Sequence, residues 1–242
     1  MDFKFTGLAP AIVAAFSAYQ RKEDLIKKKS ELLHSILVDH NSDGLSILFL
    51  GFDPWIMSSW PDNDIFVGMI TSEVADFLDD NDVLYTRIYD DELNEITPFD
   101  IVIAADEFLT YAEDNNQREL VTLMSELAND LFITTLRDYK NLAPQARDFS
   151  HPTVIKNDDG FSTFLEFHNY EYKVKNKWQS FIYENGTNIN TYGPFNRQPM
   201  FFKQLAKFAY DAGATNFMVH RDLMFKSLLK KNYEYLISVS YK

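Results

Sequence analysis

Five residues that could do chemistry stand where short apolar runs of the sequence stop. They are Gly51, Phe52, Asp53, Asp106 and Glu107. A glycine permits a sharp turn and lets a ligand approach the backbone closely. Two adjacent carboxylates can orient an amine or act as a general base. The alternatives are a glycine that only turns a strand into a loop and acidic residues that cap a following helix, and the residue types leave both open.

A second set of residues has the chemistry of a substrate pocket. It consists of Trp178, Tyr183 and Arg197, together with Tyr111, which we predict to face the substrate as a catalytic residue beside Asp106 and Glu107. Aromatic side chains supply rigid pocket walls, and an arginine can hold an acidic substrate group. Aromatic side chains also pack in cores and in dimer interfaces, and an arginine is most often exposed to solvent. We therefore predict a substrate-binding role while a purely structural role stays open.

Composition excludes several classes of site. The chain has no Cys, so it has no disulfide, no cysteine nucleophile and no cysteine-based zinc site. His151, His168 and His220 are too far apart for a metal-binding motif, and we expect no metal. Hydrolase, phosphate-loop and zincin motifs are absent from the sequence.

Charge and hydropathy limit the partners. The net charge of −13 argues against binding to nucleic acid through its phosphates, although one local basic groove stays open, and we expect no nucleic-acid partner. No apolar run approaches the roughly 20 residues that a membrane span requires. The first residues lack the pattern of a secretion signal, so we expect a cytoplasmic protein. A homodimer is possible.

The elements that must position these residues alternate between strand and helix. The apolar run Ile47–Leu50 is typical of a strand buried on both faces. Further strands are predicted at Ile65–Ile70, Val83–Ile88, Phe99–Asp106 and Leu131–Leu136, and helices at about 72–78 and Gln117–Asn129. This alternation predicts βαβ units and a parallel sheet in an α/β domain of three layers. Ligands bind such sheets at the carboxyl ends of the strands.

The pattern changes in the last third of the chain. Alternating aromatic residues over Phe161–Tyr183 predict an inserted antiparallel hairpin, at about 160–185. A helix is predicted at Pro199–Ala212, a strand at Asn216–His220, and an edge or antiparallel strand at Tyr233–Tyr241. We divide the chain into a helical segment, 1–44, and a single domain, 45–242, that carries the hairpin.

The order of elements resembles the class I S-adenosylmethionine-dependent methyltransferases over about residues 30–242. The resemblance rests on Ile47-Leu-Phe-Leu-Gly-Phe-Asp-Pro-Trp55, Phe99-Asp-Ile-Val-Ile-Ala-Ala-Asp106, a helix ending in Ala212-Gly213 and the terminal strand. It implies a Rossmann-like fold whose sheet has seven mainly parallel strands and an antiparallel last strand. The family's first turn normally holds two or three glycines, whereas this chain has Gly51 alone.

The resemblance also implies a cofactor and roles for particular residues. S-adenosyl-L-methionine would be lined by Gly51, Phe52, Asp53, Glu73 and Asp106. Asp53 would contact the methionine amino group and Glu73 the ribose, whose two hydroxyls a carboxylate can bind. The implied activity is methyl transfer to a small molecule or a side chain. The alternative is a silent binding or scaffold protein, because Phe52, Pro54 and Trp55 could fill the pocket. A nicotinamide-dependent oxidoreductase is disfavoured by the missing Gly-x-Gly-x-x-Gly.

Overall fold

The computed structural model describes most of the chain from residue 31 onward. The described residues are 31, 33–37, 44–51, 60, 62–70, 72–80, 82–93, 95–104, 108–112, 116–137, 153–157, 160–170, 177–185, 188–220 and 234–242. Within them the strands of the antiparallel sheet are described by their backbone. The sequence also predicts one or two helices over about 10–40, which lie mostly outside these residues, and a further helix at 223–231, which lies wholly outside them.

A seven-stranded sheet forms the centre of the molecule. Its strands are β1 (Ser46–Leu50), β2 (Asp64–Gly68), β3 (Thr86–Ile88), β4 (Phe99–Ala104), β5 (Ala128–Arg137), β10 (Asn216–His220) and β11 (Glu234–Ser240). They lie in the order β10-β11-β5-β4-β1-β2-β3. β11 pairs antiparallel with both of its neighbours, and the pairings among β1 to β5 are all parallel. The predicted mainly parallel sheet is confirmed, with β1 in its interior.

Alternate residues of β1 face two separate cores. Leu48 and Leu50 belong to a cluster that contains residues of the helices α2 (Asn116–Leu127) and α3 (Phe202–Asp211). Ile47 and Phe49 belong to a cluster with α1 (Ser72–Asp80) and with the helical residues 33–37. All four side chains are at most 1% exposed, so β1 is buried on both faces. Helices therefore cover both sides of the sheet, and the predicted three layers are confirmed.

The inserted element is larger than a hairpin. β7 (Gly160–Tyr170) and β8 (Lys177–Asn185) pair antiparallel, as the aromatic alternation predicts. β6 (Thr153–Asn157) and β9 (Asn188–Arg197) extend this pair on either side, which gives a four-stranded antiparallel sheet in the order β6-β7-β8-β9. The predicted hairpin is its middle pair.

The remaining differences concern element ends and the last strand. β3 begins at Thr86 and α3 at Phe202, three residues after the predicted start in each case. The sequence predicts the last strand as an edge or antiparallel strand. β11 is antiparallel, and it lies inside the sheet between β5 and β10 instead of at an edge. Among the helices in the described part of the chain, none is long and apolar enough to cross a membrane.

Candidate functional site

The strand order places a crevice at the carboxyl end of β1. From β1 the chain builds outward to β2 and β3, and then returns to the other side of β1 to form β4. β1 and β4 are parallel, with Phe49 opposite Ile103, so their carboxyl ends lie at the same edge. This reversal of direction is where open α/β sheets bind ligands. Gly51, the first residue after β1, therefore begins the candidate site.

The backbone of Gly51 has a conformation that favours glycine. Its φ is +73°, in the left-handed region, and its N–H donates to the carbonyl oxygen of Gly68 at 3.0 Å. A Cβ built on Gly51 would lie 2.4 Å from Cδ2 of Phe108. The space that the missing side chain leaves is thus filled by a phenyl ring. The prediction of a tight turn is confirmed. The Phe108 ring covers Gly51 on the side where a Cβ would stand, and the approach of a ligand to the Gly51 backbone stays a prediction.

Phe108 belongs to a 3₁₀ helix, Phe108–Tyr111, that follows β4. Its side chain is 3% exposed and lies in the same core as Leu50 and Leu109. Burial of this aromatic ring holds the 3₁₀ helix against the end of β1. The 3₁₀ helix is therefore a wall of the crevice, built from residues distant in sequence from the turn that it contacts.

At the opposite ends of β1 and β4, a serine and an aspartate fix the register. Asp100 Oδ2 accepts hydrogen bonds from the N–H and from the hydroxyl of Ser46, both at 2.8 Å. The Asp100 N–H donates in turn to Ser46 Oγ at 3.0 Å. Since register decides which residues of a strand reach the edge, this pair aligns the two strands that form the crevice.

The segment after β2 contains an uncommon backbone conformation and an arginine contact. Met69 directly follows the strand and has a φ of +55°, an uncommon conformation for a non-glycine residue. Nearby, Arg87 Nη2 donates to the carbonyl oxygen of Ile70 at 3.4 Å, and its guanidinium lies 4.9 Å from the ring centre of Tyr89. Glu73 is the second residue of α1, and its side chain lies outside the described part of the chain.

Two of the predicted residues, Tyr111 and Arg197, lie close together in the structure because their backbone neighbours are hydrogen-bonded. The N–H of Gln198 donates to the carbonyl oxygen of Thr110 at 2.9 Å. Thr110 precedes Tyr111, and Gln198 follows Arg197, the last residue of β9. The antiparallel sheet therefore ends beside the 3₁₀ helix, at the carboxyl end of β4.

The other predicted site residues are placed only in part. Trp178 and Tyr183 lie on β8, where Trp178 pairs with Asn169 and Tyr183 with Phe164, and only their backbones are described. Four of the predicted residues fall outside the described part of the chain. These are Phe52, Asp53, Asp106 and Glu107. Their roles stay predictions.

Sequence reasoning missed two residues of this region. Phe108 gave no signal, because its contact with Gly51 joins residues far apart in the chain. Gln117 could have been found, since it stands four residues before Val121 and seven before Met124 on the apolar face of α2. A polar residue at such a position is buried with hydrogen-bond partners. Within the described residues, no group of three His, Cys, Asp or Glu side chains could hold a metal ion.

Solved structures of methyltransferases share this architecture, and three of them illustrate the similarity to the chain. A S-adenosylmethionine-dependent methyltransferase from Clostridium acetobutylicum is 13% identical, with a TM-score of 0.64 over 88% of this chain and 91% of that one. The sugar N-methyltransferase KedS8 from Streptoalloteichus is 9% identical, with a TM-score of 0.65 over 88% and 86%. CalS10, an amino pentose methyltransferase from Micromonospora echinaspora, is 8% identical, with a TM-score of 0.63 over 93% and 96%.

Comparison of sequences gives no match: no protein-family model and no curated protein matches the chain. The structural likeness covers 88% to 93% of this chain and 86% to 96% of each neighbour. The fold is that of the class I S-adenosylmethionine-dependent methyltransferases, and the resemblance stated from the sequence is confirmed at this level.

Proposed function

We propose that this protein transfers a methyl group from S-adenosyl-L-methionine to a small-molecule acceptor. The observation that carries the proposal is the tight glycine turn at the end of β1, at the point where strand order reverses. The likeness to methyltransferases over most of the chain supports the same function.

The residues near this edge fit the cofactor in their chemistry. The turn at Gly51 lies at the crevice between β1 and β4, and carboxylates follow both strands in the sequence, at Asp53 and Asp106. A carboxylate accepts hydrogen bonds from amines and hydroxyls, the groups that the cofactor presents. We assign Gly51, Phe52, Asp53, Glu73 and Asp106 to cofactor binding. The Phe108 ring would then border the cofactor where it covers Gly51.

When bound, S-adenosylmethionine supplies a methyl group on a sulfonium, which makes that carbon electrophilic. The protein has to hold the nucleophile in line with the carbon–sulfur bond and take its proton where it carries one. We assign these tasks to Asp106 and Glu107, with Tyr111 orienting the acceptor. A positioned general base of this kind contributes about 10²–10⁴-fold to a rate.

We further propose that the acceptor nucleophile is an amine. Two of the structural neighbours are described as a sugar N-methyltransferase and an amino pentose methyltransferase. The carboxylates that follow β4 suit an ammonium group, which they can bind and deprotonate. The net charge of −13 supports a cationic or neutral acceptor over a nucleic acid. Trp178, Tyr183 and Arg197 would contact the rest of the acceptor.

The proposal is tested by following S-adenosylhomocysteine production with a panel of amino sugars and other small amines. We expect turnover with at least one amine, and a loss of about 10²-fold or more in kcat for Asp106→Asn or Glu107→Gln. Thr122→Ala is the control, because the Thr122 hydroxyl is exposed and only bonds to Arg118 within α2. Cofactor binding without turnover on any acceptor would favour the silent binding protein instead.

A further inference from the structure

The side-chain amide of Gln117 is buried at the point where three parts of the molecule meet. Gln117 lies in the first turn of α2 and is 3% exposed. Its Nε2 donates to the carbonyl oxygen of Leu109 at 3.2 Å and to that of Gln198 at 2.8 Å. Both hydrogens of the amide nitrogen are thus used by backbone carbonyls.

These two bonds connect elements that lie far apart in the chain. Leu109 belongs to the 3₁₀ helix after β4, and Gln198 is the first residue after the antiparallel sheet. A third bond, from the N–H of Gln198 to the carbonyl oxygen of Thr110 at 2.9 Å, closes the junction. We call these three hydrogen bonds the Gln117 junction.

The junction lies between the two halves of the candidate site. On one side, the 3₁₀ helix carries Phe108, whose ring covers Gly51 at the end of β1. On the other side, Arg197 directly precedes Gln198 at the end of β9. The junction therefore sets the distance between the predicted cofactor turn and the segment predicted to contact the acceptor.

Packing alone does not explain a glutamine at this position. The surrounding residues of the α2 face, among them Leu120, Val121 and Met124, are apolar and fully buried. A buried amide costs free energy unless its hydrogen bonds are made, so an apolar side chain would serve packing equally well. What the amide adds is directional bonding to two backbone segments, which also contact each other through the Gln198 N–H and the Thr110 carbonyl oxygen.

We propose that Gln117 is a positioning residue that couples cofactor binding to the antiparallel sheet. This inference rests on the proposed function. A ligand at the Gly51 turn restrains the 3₁₀ helix through Phe108, and the Gln117 junction passes that restraint to Gln198. Local opening of the junction is then less frequent in the ligand-bound protein, which slows exchange of the Gln198 N–H with solvent.

The test compares amide hydrogen exchange with and without S-adenosylhomocysteine, the demethylated cofactor, in three proteins. In the wild type we expect the ligand to slow exchange of the Gln198 N–H by about tenfold. In Gln117→Met, which keeps the length of the side chain and removes both donors, we expect this ligand-dependent protection to vanish while affinity for the ligand stays within about threefold. Gln204→Met is the matched control, because Gln204 loses only a long 3.5 Å contact to Gln117 Oε1.

Each outcome decides the inference. Loss of the protection in Gln117→Met, and its retention in Gln204→Met, support coupling through the amide. Equal protection in all three proteins overturns it, as does a wild type that binds the ligand without any change at Gln198. If Gln117→Met does not fold, Gln117→Leu, which also removes both donors, takes its place in the same comparison. A failure of the wild type to bind the ligand is a different result, because it removes the proposed function itself.

Discussion

Two residues distant in sequence, Gly51 and Phe108, decide how the chain turns at the end of β1. The positive φ of Gly51 disfavours any side chain, and the Phe108 ring occupies the place where a Cβ would stand. The two effects are separable because Gly44 has the same φ of +73°, and a Cβ added there would meet nothing within 4 Å. Both glycines also donate their N–H to a backbone carbonyl, at 3.0 Å and 2.8 Å respectively.

We expect Gly51→Ala to destabilise the protein more than Gly44→Ala. The left-handed conformation costs about 1–2 kcal/mol in both variants. Overpacking against Phe108 adds about 1–3 kcal/mol in Gly51→Ala alone. Urea unfolding measures both differences. Phe108→Leu should relieve part of the added cost, so the double variant Gly51→Ala/Phe108→Leu should show favourable coupling. Equal destabilisation by the two glycine substitutions would refute the role of Phe108.

A partly buried tyrosine makes stability fall at high pH. Burial raises the pKa of Tyr241, although its hydrogen bond to Ser125 Oγ at 2.5 Å partly opposes the rise. Because the folded-state pKa lies above the unfolded value of about 10, this stabilisation is complete below pH 10 and is lost as the pH rises through the folded-state pKa. Unfolding free energies measured between pH 8 and pH 11 should therefore fall less steeply above about pH 10 in Tyr241→Phe than in the wild type. Parallel curves would contradict the assignment.

Among the elements, β1 and β4 depend on the paired contacts of Ser46 and Asp100. Ser46→Ala removes one donor and one acceptor and leaves Asp100 with a single contact from the Ser46 N–H. We expect a loss of about 1–3 kcal/mol in unfolding free energy. Thr122→Ala, which removes an exposed hydroxyl, should stay within about 0.5 kcal/mol of the wild type. If Ser46→Ala loses as little unfolding free energy as Thr122→Ala, the contacts between Ser46 and Asp100 do not hold the register of β1 and β4.

Some strands could be predicted from the sequence more accurately than others. β10 matches its predicted bounds. β1 and β4 match theirs closely, because an apolar run bounded by polar residues marks a buried strand. β3 is shorter than predicted, since Val83 and Tyr85 pack on the core without pairing. The outer strands β6 and β9 were missed because pairing between distant segments leaves no periodic signal in either one.

The candidate site was predictable only where it depends on local sequence. Gly51 follows an apolar run, so its turn could be placed from the sequence. The ring that covers it, and the amide of Gln117 that joins Leu109 to Gln198, arise from contacts between segments 8 to 81 residues apart. Such contacts form only in the packed structure. Composition and the periodicity of a single segment therefore do not predict them.

For the whole molecule, the antiparallel sheet ends beside the crevice, and this arrangement motivates a test of its role. We expect Trp178→Ala to reduce turnover of the acceptor by about tenfold or more while cofactor affinity stays within a few-fold, because β8 is predicted to contact the acceptor alone. Steady-state kinetics and calorimetry measure the two quantities. If the variant instead converts a dimer to a monomer in sedimentation with turnover intact, the sheet is a dimer interface.

Binding of the cofactor product tests the central claim most directly. Calorimetric titration of the wild-type protein with S-adenosylhomocysteine should show saturable binding with a Kd below about 1 mM. Gly44→Ala should bind as the wild type does, because Gly44 lies at the amino end of β1, away from the crevice. The absence of binding at millimolar ligand, in a protein shown to be folded, would contradict the assignment of the Gly51 edge as a cofactor site.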